Sequence, residues 1–156
     1  MGTCVAPKYA HLTMGYLEHE IKKECNKKLG PVKTASFFKY YFRFLDDIFV
    51  VCDLDYDDIQ LIISIFNNFH SSFKFTYNIS SEEAVFLDVK VIQQNNVINT
   101  DIYHKPTDSF NYLHFSSHHP SHIKRNIPYN LANRIMRIVS DINIRKLRFS
   151  ELKETS

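Results

Sequence analysis

Two adjacent aspartates, Asp46 and Asp47, interrupt the apolar segment FRFLDDIFVV at residues 42–51. Neighbouring carboxylates repel each other and are costly to remove from water, so an apolar strand does not normally accommodate them. A tight turn between two strands would place both at one sheet edge, where a divalent cation could compensate their charge. The segment therefore predicts a Mg²⁺ site for phosphoryl transfer, with a solvated acidic turn as the alternative. Because two carboxylates do not complete a two-ion site, a third acid is expected elsewhere.

A second acidic stretch, from Asp53 to Asp58, is predicted to be structural. A calcium loop that starts at Asp53 would need Gly at its sixth position and Glu at its twelfth, where the chain has Asp58 and Ser64. No strand closely precedes these acids, and a helix is expected to follow them. Asp55 is therefore predicted as the N-cap, with Asp57 and Asp58 at the positive end of the helix dipole.

Histidines and aromatic residues each allow two interpretations. His114, His118, His119 and His122 lie in the segment HFSSHHPSH without nearby cysteines, which favours a loop near phosphate over a zinc site. The 13 Phe and 9 Tyr residues could stack on bases, but most fall at positions that are predicted to face the core.

The composition is that of a globular protein with one domain, or one domain and a small appendage. The chain has 156 residues, 44% hydrophobic and 23% charged. No segment approaches the roughly 18 to 20 apolar residues of a membrane span, and the N-terminus does not resemble a secretory signal. Cys4, Cys25 and Cys52 are widely spaced, which argues against a disulfide framework. These features favour an intracellular location, in the nucleus or the cytoplasm.

Charge is unevenly distributed along the chain. Residues 1–100 contain 10 basic and 12 acidic residues, a net charge of −2, whereas residues 101–156 contain 9 basic and 5 acidic residues, a net charge of +4. A basic C-terminal segment beside a local acidic cluster suits a protein that binds a polyanion and a metal ion. Ordinary solvated surfaces would have the same composition, so the charge pattern leaves both readings open.

Helical and strand patterns alternate along the chain. A helix is predicted over Pro7–Leu29, ended by Gly30 and Pro31, and two short strands are predicted on either side of the aspartates within residues 38–52. The remaining predicted elements are a helix after Asp55, a strand at 73–79, a hairpin of 85–92 and 97–104 about residues 93–96, and a basic helix from about Tyr129 to Arg148. This order predicts an α+β fold, with an antiparallel sheet and helices on one of its faces.

Four sequence blocks resemble the reverse transcriptases of Penelope-like retroelements. FLDD (Phe44–Asp47) resembles motif C, the [YF]-x-D-D hairpin of the polymerase palm, and the opening MGTCVAPKYAHLTMGYLE resembles motif B. VFLDVKV resembles that branch's FLD segment after motif D, and DIYHKPTDSFNYLHFSSHHPSHIKRNIP resembles its segment beyond the palm. The blocks occur in the family's order and cover nearly the whole chain. The C-terminal stretch also resembles an animal helix-turn-helix module that adjoins these polymerases.

The resemblance implies roles for individual residues. Asp46 and Asp47 correspond to the catalytic Mg²⁺ ligands of a two-ion site, and Gly2, Thr3 and Phe44 to positions that contact the nucleotide or template. Asp88 and Lys90 correspond loosely to the hairpin that supports the primer end. The basic residues that would grip nucleic acid are Lys105, Lys124, Arg125, Arg134 and Arg137.

The family also implies a domain division and a set of partners. Residues 1–103 would be a partial palm with motifs B to E, and residues 104–156 a basic helical thumb or helix-turn-helix-like segment. The partners would be an RNA or DNA template–primer and, in the full-length enzyme, deoxynucleotides. The fingers and motif A, which carries the third aspartate, are expected upstream of residue 1, so the Mg²⁺ site is incomplete and the chain is expected not to polymerise alone. The alternatives are a non-catalytic nucleic-acid-binding remnant and a remnant too incomplete to fold, whose open sheet edge would aggregate.

Overall fold

The computed structural model describes residues 5–109, 112–114 and 116–155, with side chains described as far as residue 153. Over these residues the chain forms five α-helices and five β-strands, which confirms the predicted α+β class. The chain divides into two compact units, one that ends at Tyr77 and one that starts at Asn78. None of the helices in the described residues is long and apolar enough to cross a membrane.

Each unit has its own small antiparallel sheet, whereas a single sheet was predicted. The first unit contains α1 (Ala6–Leu29), α2 (Pro31–Lys39), β1 (Tyr40–Phe44), β2 (Asp47–Val51) and α3 (Tyr56–Phe69), and the second contains β3 (Glu83–Phe86), β4 (Val89–Gln94), β5 (Val97–Ile102), α4 (Ser121–Ile138) and α5 (Ile142–Thr155). β1 pairs with β2, and β4 lies between β3 and β5. The three-stranded sheet thus belongs to the same compact unit as the C-terminal helices. The division at residues 103 and 104 rests on the family resemblance and stays a prediction.

The core of the first unit is built by one face of each of its three helices. In α1 the buried residues Leu17, Ile21 and Cys25 recur every four residues, as expected for an amphipathic helix. They form one cluster with buried residues of α2 and α3, namely Phe37, Ile62, Ile65 and Phe66. Tyr41, Ile48 and Val50 of the β1–β2 hairpin pack against this cluster. The hairpin therefore has helices on one face, as predicted for the antiparallel sheet.

The tripeptide Phe-Leu-Asp occurs twice and makes the same turn each time. Phe44 pairs with Asp47 across a Leu45–Asp46 turn, and Phe86 pairs with Val89 across a Leu87–Asp88 turn. The leucine of each turn has a left-handed backbone, with φ of 53° at Leu45 and 56° at Leu87. The second turn splits the strand that was predicted over residues 85–92 into β3 and β4.

Helix α2 was not predicted, because it lies mostly between the expected helix end at Gly30 and Pro31 and the strand expected from residue 38. Gly30 ends α1 with φ of 85°, a conformation that glycine adopts without a steric penalty. Pro31 then starts α2, consistent with the preference of proline for the first helical turn. Thr34 and Phe37 of α2 are buried. Burial of this face outweighs the strand propensity of the aromatic residues around Phe37.

The prediction of a strand at residues 73–79 is wrong, because this segment pairs with no strand among the residues that the structure describes. Instead, the side-chain amide of Asn67 in α3 binds both backbone groups of Phe75, with a 2.7 Å bond from the Phe75 N–H to Oδ1 and a 3.1 Å bond from Nδ2 to the Phe75 carbonyl. Phe73 and Phe75 pack against the core of the first unit. Their alternation with polar residues therefore reflects packing of an extended segment and not membership of a sheet.

The single helix predicted from Tyr129 to Arg148 is two helices. α4 starts at Ser121, eight residues before the predicted helix start at Tyr129, and contains Pro128 in its interior. A proline inside a helix removes one backbone hydrogen bond and strains the preceding turn, which the remaining contacts of this 18-residue helix offset. The chain then breaks at residues 139–141, and α5 begins at Ile142.

Hydrogen bonds connect the break between α4 and α5 to strand β5. Thr100 N–H donates to the Ser140 hydroxyl at 2.9 Å, and Ser140 N–H donates to the Thr100 carbonyl at 3.0 Å. Val139 is almost completely buried, and it forms the core of the second unit together with Ile102 and Ile135. These contacts fix both helices against the sheet of this unit.

Candidate functional site

The acidic pair lies at the tip of the β1–β2 hairpin, as predicted from the sequence. Asp46 is the second residue of the turn, and Asp47 is the first residue of β2, directly opposite Phe44. Both aspartates are exposed. Because their carboxylates remain in contact with water, the desolvation cost that an apolar strand would impose does not arise.

An ion pair holds this turn against helix α1. Glu18 of α1 accepts hydrogen bonds from Arg43 Nε and, at 2.8 Å, from the Tyr41 hydroxyl. Arg43 also donates from Nη1 to the carbonyl of Leu45 at 3.0 Å, so the same guanidinium binds the turn that carries the aspartates. The side chains of Arg43 and Glu18 are only 8% and 19% exposed. Burial and the bond to Glu18 raise the pKa of Tyr41, which keeps its hydroxyl protonated as a donor.

The outward face of the hairpin is aromatic. Tyr40, Phe42 and Phe44 alternate along β1, and each is about half exposed. Residues that pair across antiparallel strands point to the same face, so Phe44 and Asp47 are neighbours on this outward face. Phe44, predicted to contact a nucleotide or template, therefore has the accessibility that this role requires. These rings are exceptions to the expectation that most aromatic residues face the core.

The donors at the hairpin tip suit part of a Mg²⁺ site. Mg²⁺ prefers carboxylate oxygens, keeps several waters and is often held by one or two carboxylates together with a substrate phosphate. Asp46 and Asp47 supply this donor type from a fixed turn. Over the described part of the chain, no group of three or more acidic, histidine or cysteine side chains converges at a metal-binding distance. The two aspartates could supply carboxylate donors to a Mg²⁺ ion, and a two-ion site requires a further acid.

The other predicted acidic and histidine positions have local roles. Asp55 immediately precedes α3, where a cap was predicted, although its side chain makes no capping hydrogen bond. Asp58 pairs with Lys33 of α2 at 2.6 Å. His114 contacts the Ser116 hydroxyl at 2.6 Å, and His119 contacts the Ser117 hydroxyl at 3.3 Å. Gly2 and Thr3, predicted to contact nucleotide or template, lie outside the described residues.

The five predicted nucleic-acid-binding residues do not share one surface. Arg125 and Arg134 are nine residues apart on α4, about two and a half turns, so they point to opposite sides of the helix. Lys105 and Arg125 are exposed, whereas Lys124 is half-buried and donates to the Ser117 carbonyl at 3.0 Å. Arg134 and Arg137 are one turn apart, so they lie on the same side of α4.

Polar contacts position the second helix of the C-terminal pair. The Asp141 carboxylate accepts the N–H groups of Asn143 at 2.7 Å and Ile144 at 3.0 Å, the arrangement of a helix N-cap. Arg145 donates to the Val139 carbonyl from Nε at 3.1 Å and from Nη2 at 2.6 Å, which binds α5 to the end of α4. Arg148 pairs with Asp101 of β5. Both arginines of α5 therefore make contacts within the unit.

A different set of α5 side chains faces solvent. Asn143, Lys146, Leu147 and Ser150 are exposed, and their spacing of three and four residues places them on one face of the helix. None of them is in the predicted binding set, because α5 was not recognised as a separate helix. Asp141, a typical N-cap residue, followed by residues at helical spacing is the sequence feature that could have predicted the start of α5.

The C-terminal segment matches a known family. A family model described as an animal helix-turn-helix domain matches residues 111–155, which contain α4, the turn and α5. This match confirms the helix-turn-helix part of the resemblance seen in the sequence. Searches of curated proteins and of solved structures return no match.

Proposed function

We propose that this chain binds nucleic acid through its helix-turn-helix segment, with α5 as the helix that enters the groove. The observation that carries the proposal is the geometry of this segment, in which α4 and α5 are joined by a three-residue break at 139–141 within a family match. In helix-turn-helix proteins the second helix lies in the major groove and its N-terminal residues contact base edges. The net charge of +4 over residues 101–156 would attract the phosphate backbone.

The exposed face of α5 has the chemistry that this role requires. Asn143 lies in the first turn, and an asparagine amide can make two hydrogen bonds to adenine in the major groove. Lys146 follows one turn later and could contact a guanine edge or a phosphate. Arg145 and Arg148 hold α5 in place, so they are assigned to support and not to contact.

Replacing Lys146 with Ala is expected to weaken binding to all duplexes, because one phosphate contact is lost. The plot of log K against log salt concentration has a negative slope, and the magnitude of this slope should decrease by about 1. Asn143→Ala is expected to cost about 1–3 kcal/mol on a preferred sequence and little on others. Fluorescence anisotropy with a labelled duplex, after selection of a preferred sequence from a random pool, measures both effects.

Lys74→Gln is the matched control, since it removes one exposed positive charge from the other unit. Its affinity and salt slope should equal those of the unsubstituted chain. If Lys146→Ala and Asn143→Ala also behave like the control, α5 does not contact nucleic acid and the proposal fails.

We further propose that the first unit is a piece of a reverse-transcriptase palm. The proposal is supported by the position of Asp46 and Asp47 at the tip of a hairpin, with Phe44 opposite Asp47 on an exposed face. Asp46 and Asp47 would hold Mg²⁺, which in such enzymes activates the primer 3′-hydroxyl and stabilises the leaving pyrophosphate. Arg43 and Glu18 would keep the turn that bears the two carboxylates in one position. In the same proposal, Lys124 and Arg125 of the second unit would contact the phosphates of the template–primer duplex.

The purified chain is expected to bind Mg²⁺ weakly at this turn but to show no Mg²⁺-dependent primer extension. Two carboxylates supply one shared site, and no third acid joins them among the residues that the structure describes. Backbone NMR during a Mg²⁺ titration should show shifts at residues 45–47 that are absent in Asp46→Asn/Asp47→Asn. If no shift occurs, the palm proposal loses its support, and primer extension that this double variant abolishes would show that the two acids suffice.

A further inference from the structure

A cavity of about 240 Å³ opens on the surface of α4, on the side that carries two arginines. Its lining residues are Asn130, Asn133, Arg134, Arg137 and Ile138. All five belong to the last three turns of α4, so two arginines and two asparagines line the cavity from one face of the helix. α5 contributes no side chain to this lining.

The hydrogen-bonding capacity of these arginines is only partly used. Arg137 is exposed and meets no carboxylate among the residues that the structure describes. Arg134 donates from Nη2 to Asp88 at 2.9 Å, whereas its Nε is buried without an acceptor in the described part of the chain. The Arg134 side chain is 36% exposed, so part of it remains accessible to a ligand beside its contact with Asp88.

We infer that this cavity is a binding site for a phosphate ester, and that Asp88 competes with the ligand for Arg134. Guanidinium groups bind phosphate oxygens with charge-assisted hydrogen bonds, and the amide groups of Asn130 and Asn133 supply neutral donors. The inference rests on the proposed function in that the phosphate could belong to the backbone of bound nucleic acid. The terminal phosphate of a nucleotide has the same chemistry.

The location of Asp88 places a competing carboxylate beside the site. Asp88 lies in the Leu87–Asp88 turn, so its carboxylate is held beside α4 by a fixed hairpin. In the ligand-free protein it neutralises one of the two arginine charges. A bound phosphate must displace this carboxylate from Arg134 or bind in its presence, and either case lowers affinity.

The two charge variants are therefore expected to act in opposite directions. Asp88→Asn removes the competing charge and should tighten phosphate binding roughly two- to fivefold, as expected for a partly exposed ion pair. Arg137→Gln removes a charge-assisted donor and should weaken binding about tenfold. Asp88 and Arg137 are both solvent-accessible, and unchanged far-ultraviolet circular dichroism of each variant would show that it folds.

The experiment follows backbone amide shifts by NMR while the full chain is titrated with four ligands in turn. The ligands are inorganic phosphate, a 5′-phosphorylated dinucleotide, the same dinucleotide with a 5′-hydroxyl, and a duplex. Shifts at the Asn133 and Arg137 amides with inorganic phosphate and the 5′-phosphorylated dinucleotide identify a terminal-phosphate site. Shifts with the duplex and with the 5′-hydroxyl dinucleotide, which contains a phosphodiester, but not with inorganic phosphate identify a backbone phosphodiester site. In either case Asp88→Asn and Arg137→Gln should change the affinity in opposite directions, and Lys74→Gln should leave it unchanged.

The inference is overturned if no phosphate ligand shifts the cavity amides, if Asp88→Asn fails to tighten binding, or if Arg137→Gln fails to weaken it. This outcome is distinct from failure of the helix-turn-helix proposal, which is read from Asn143→Ala and Lys146→Ala on duplex binding. Cavity shifts that persist while those two variants bind normally would retain the phosphate site and reject α5 as the contact helix.

Discussion

Replacing Arg43 with Ala is expected to lower the free energy of unfolding of the first unit by about 3 kcal/mol, because it leaves the Glu18 carboxylate in a largely buried position without its cation. Arg43 is 8% exposed and joins β1 to α1 across 25 residues of sequence. The Tyr41 hydroxyl still donates to Glu18 in the variant, which keeps the loss below that of a fully isolated buried charge.

The same substitution should also loosen the turn that carries Asp46 and Asp47. Arg43 donates to the Leu45 carbonyl, and Leu45 has a left-handed backbone that a branched side chain adopts at a cost. Without this bond we expect faster amide hydrogen exchange at residues 45–47. Because Asp46 and Asp47 are proposed to hold Mg²⁺, the variant should also bind the ion more weakly than the unsubstituted chain.

Native-state hydrogen exchange at the α1 and α3 amides measures the unfolding free energy of this unit. Arg43→Lys keeps the positive charge but not the forked geometry of the guanidinium group. It should lower the free energy of unfolding by less than Arg43→Ala does. Lys39→Ala removes an exposed cation from the neighbouring helix and should change the free energy by less than about 0.5 kcal/mol. A loss in Arg43→Ala no larger than that of Lys39→Ala would show that the ion pair does not stabilise the unit.

Replacing Asp101 with Ala is expected to destabilise the second unit by about 2–3 kcal/mol. Asp101 is 6% exposed, and it accepts Arg148 Nε at 3.1 Å and Nη2 at 2.6 Å, a two-point contact between β5 and α5. Arg148 retains Glu151 as a partner and is 26% exposed, so the cost is smaller than for a completely buried pair. Hydrogen exchange at the α4 and α5 amides provides the measurement.

The same pair predicts how the stability of this unit depends on pH. Hydrogen bonding to the Arg148 guanidinium holds the pKa of Asp101 below its ordinary value of 3.8, although burial acts in the opposite direction. Because the folded-state pKa is lower than the unfolded one, the stabilisation is fully present above pH 3.8 and is lost as the pH falls through the folded-state value.

Asp101→Asn is the matched test of this dependence, since it keeps the shape of the side chain and removes the titration. Its unfolding free energy should fall less steeply with decreasing pH than that of the unsubstituted chain. Lys146→Ala, on the exposed face of α5, should leave both the stability and the pH profile nearly unchanged. Parallel pH profiles for the unsubstituted chain and Asp101→Asn would contradict the assignment.

The features that sequence predicted correctly are those with local causes. The period of apolar residues in α1 and its termination at Gly30 are properties of consecutive residues, and so is the turn at Asp46 within a β-forming segment. The acids at the start of α3 likewise identify a helix beginning. The placement of two carboxylates at a hairpin tip therefore follows from local sequence patterns. The helix-turn-helix character of the C-terminal segment was predicted only through the family resemblance, because the local pattern indicated a single helix there.

Other features were determined only by the tertiary structure, because they depend on contacts between residues that are distant in the chain. The 73–79 segment has the alternation of a strand, but its backbone binds Asn67 of a helix, and this choice is invisible in the segment itself. Likewise, the sequence shows nine basic residues after position 100 without distinguishing their roles. Arg148 forms an ion pair with Asp101, 47 residues away, whereas Lys146, two positions earlier, faces solvent. Periodicity and propensity are local, whereas burial and charge pairing are decided by which surfaces the folded chain brings together.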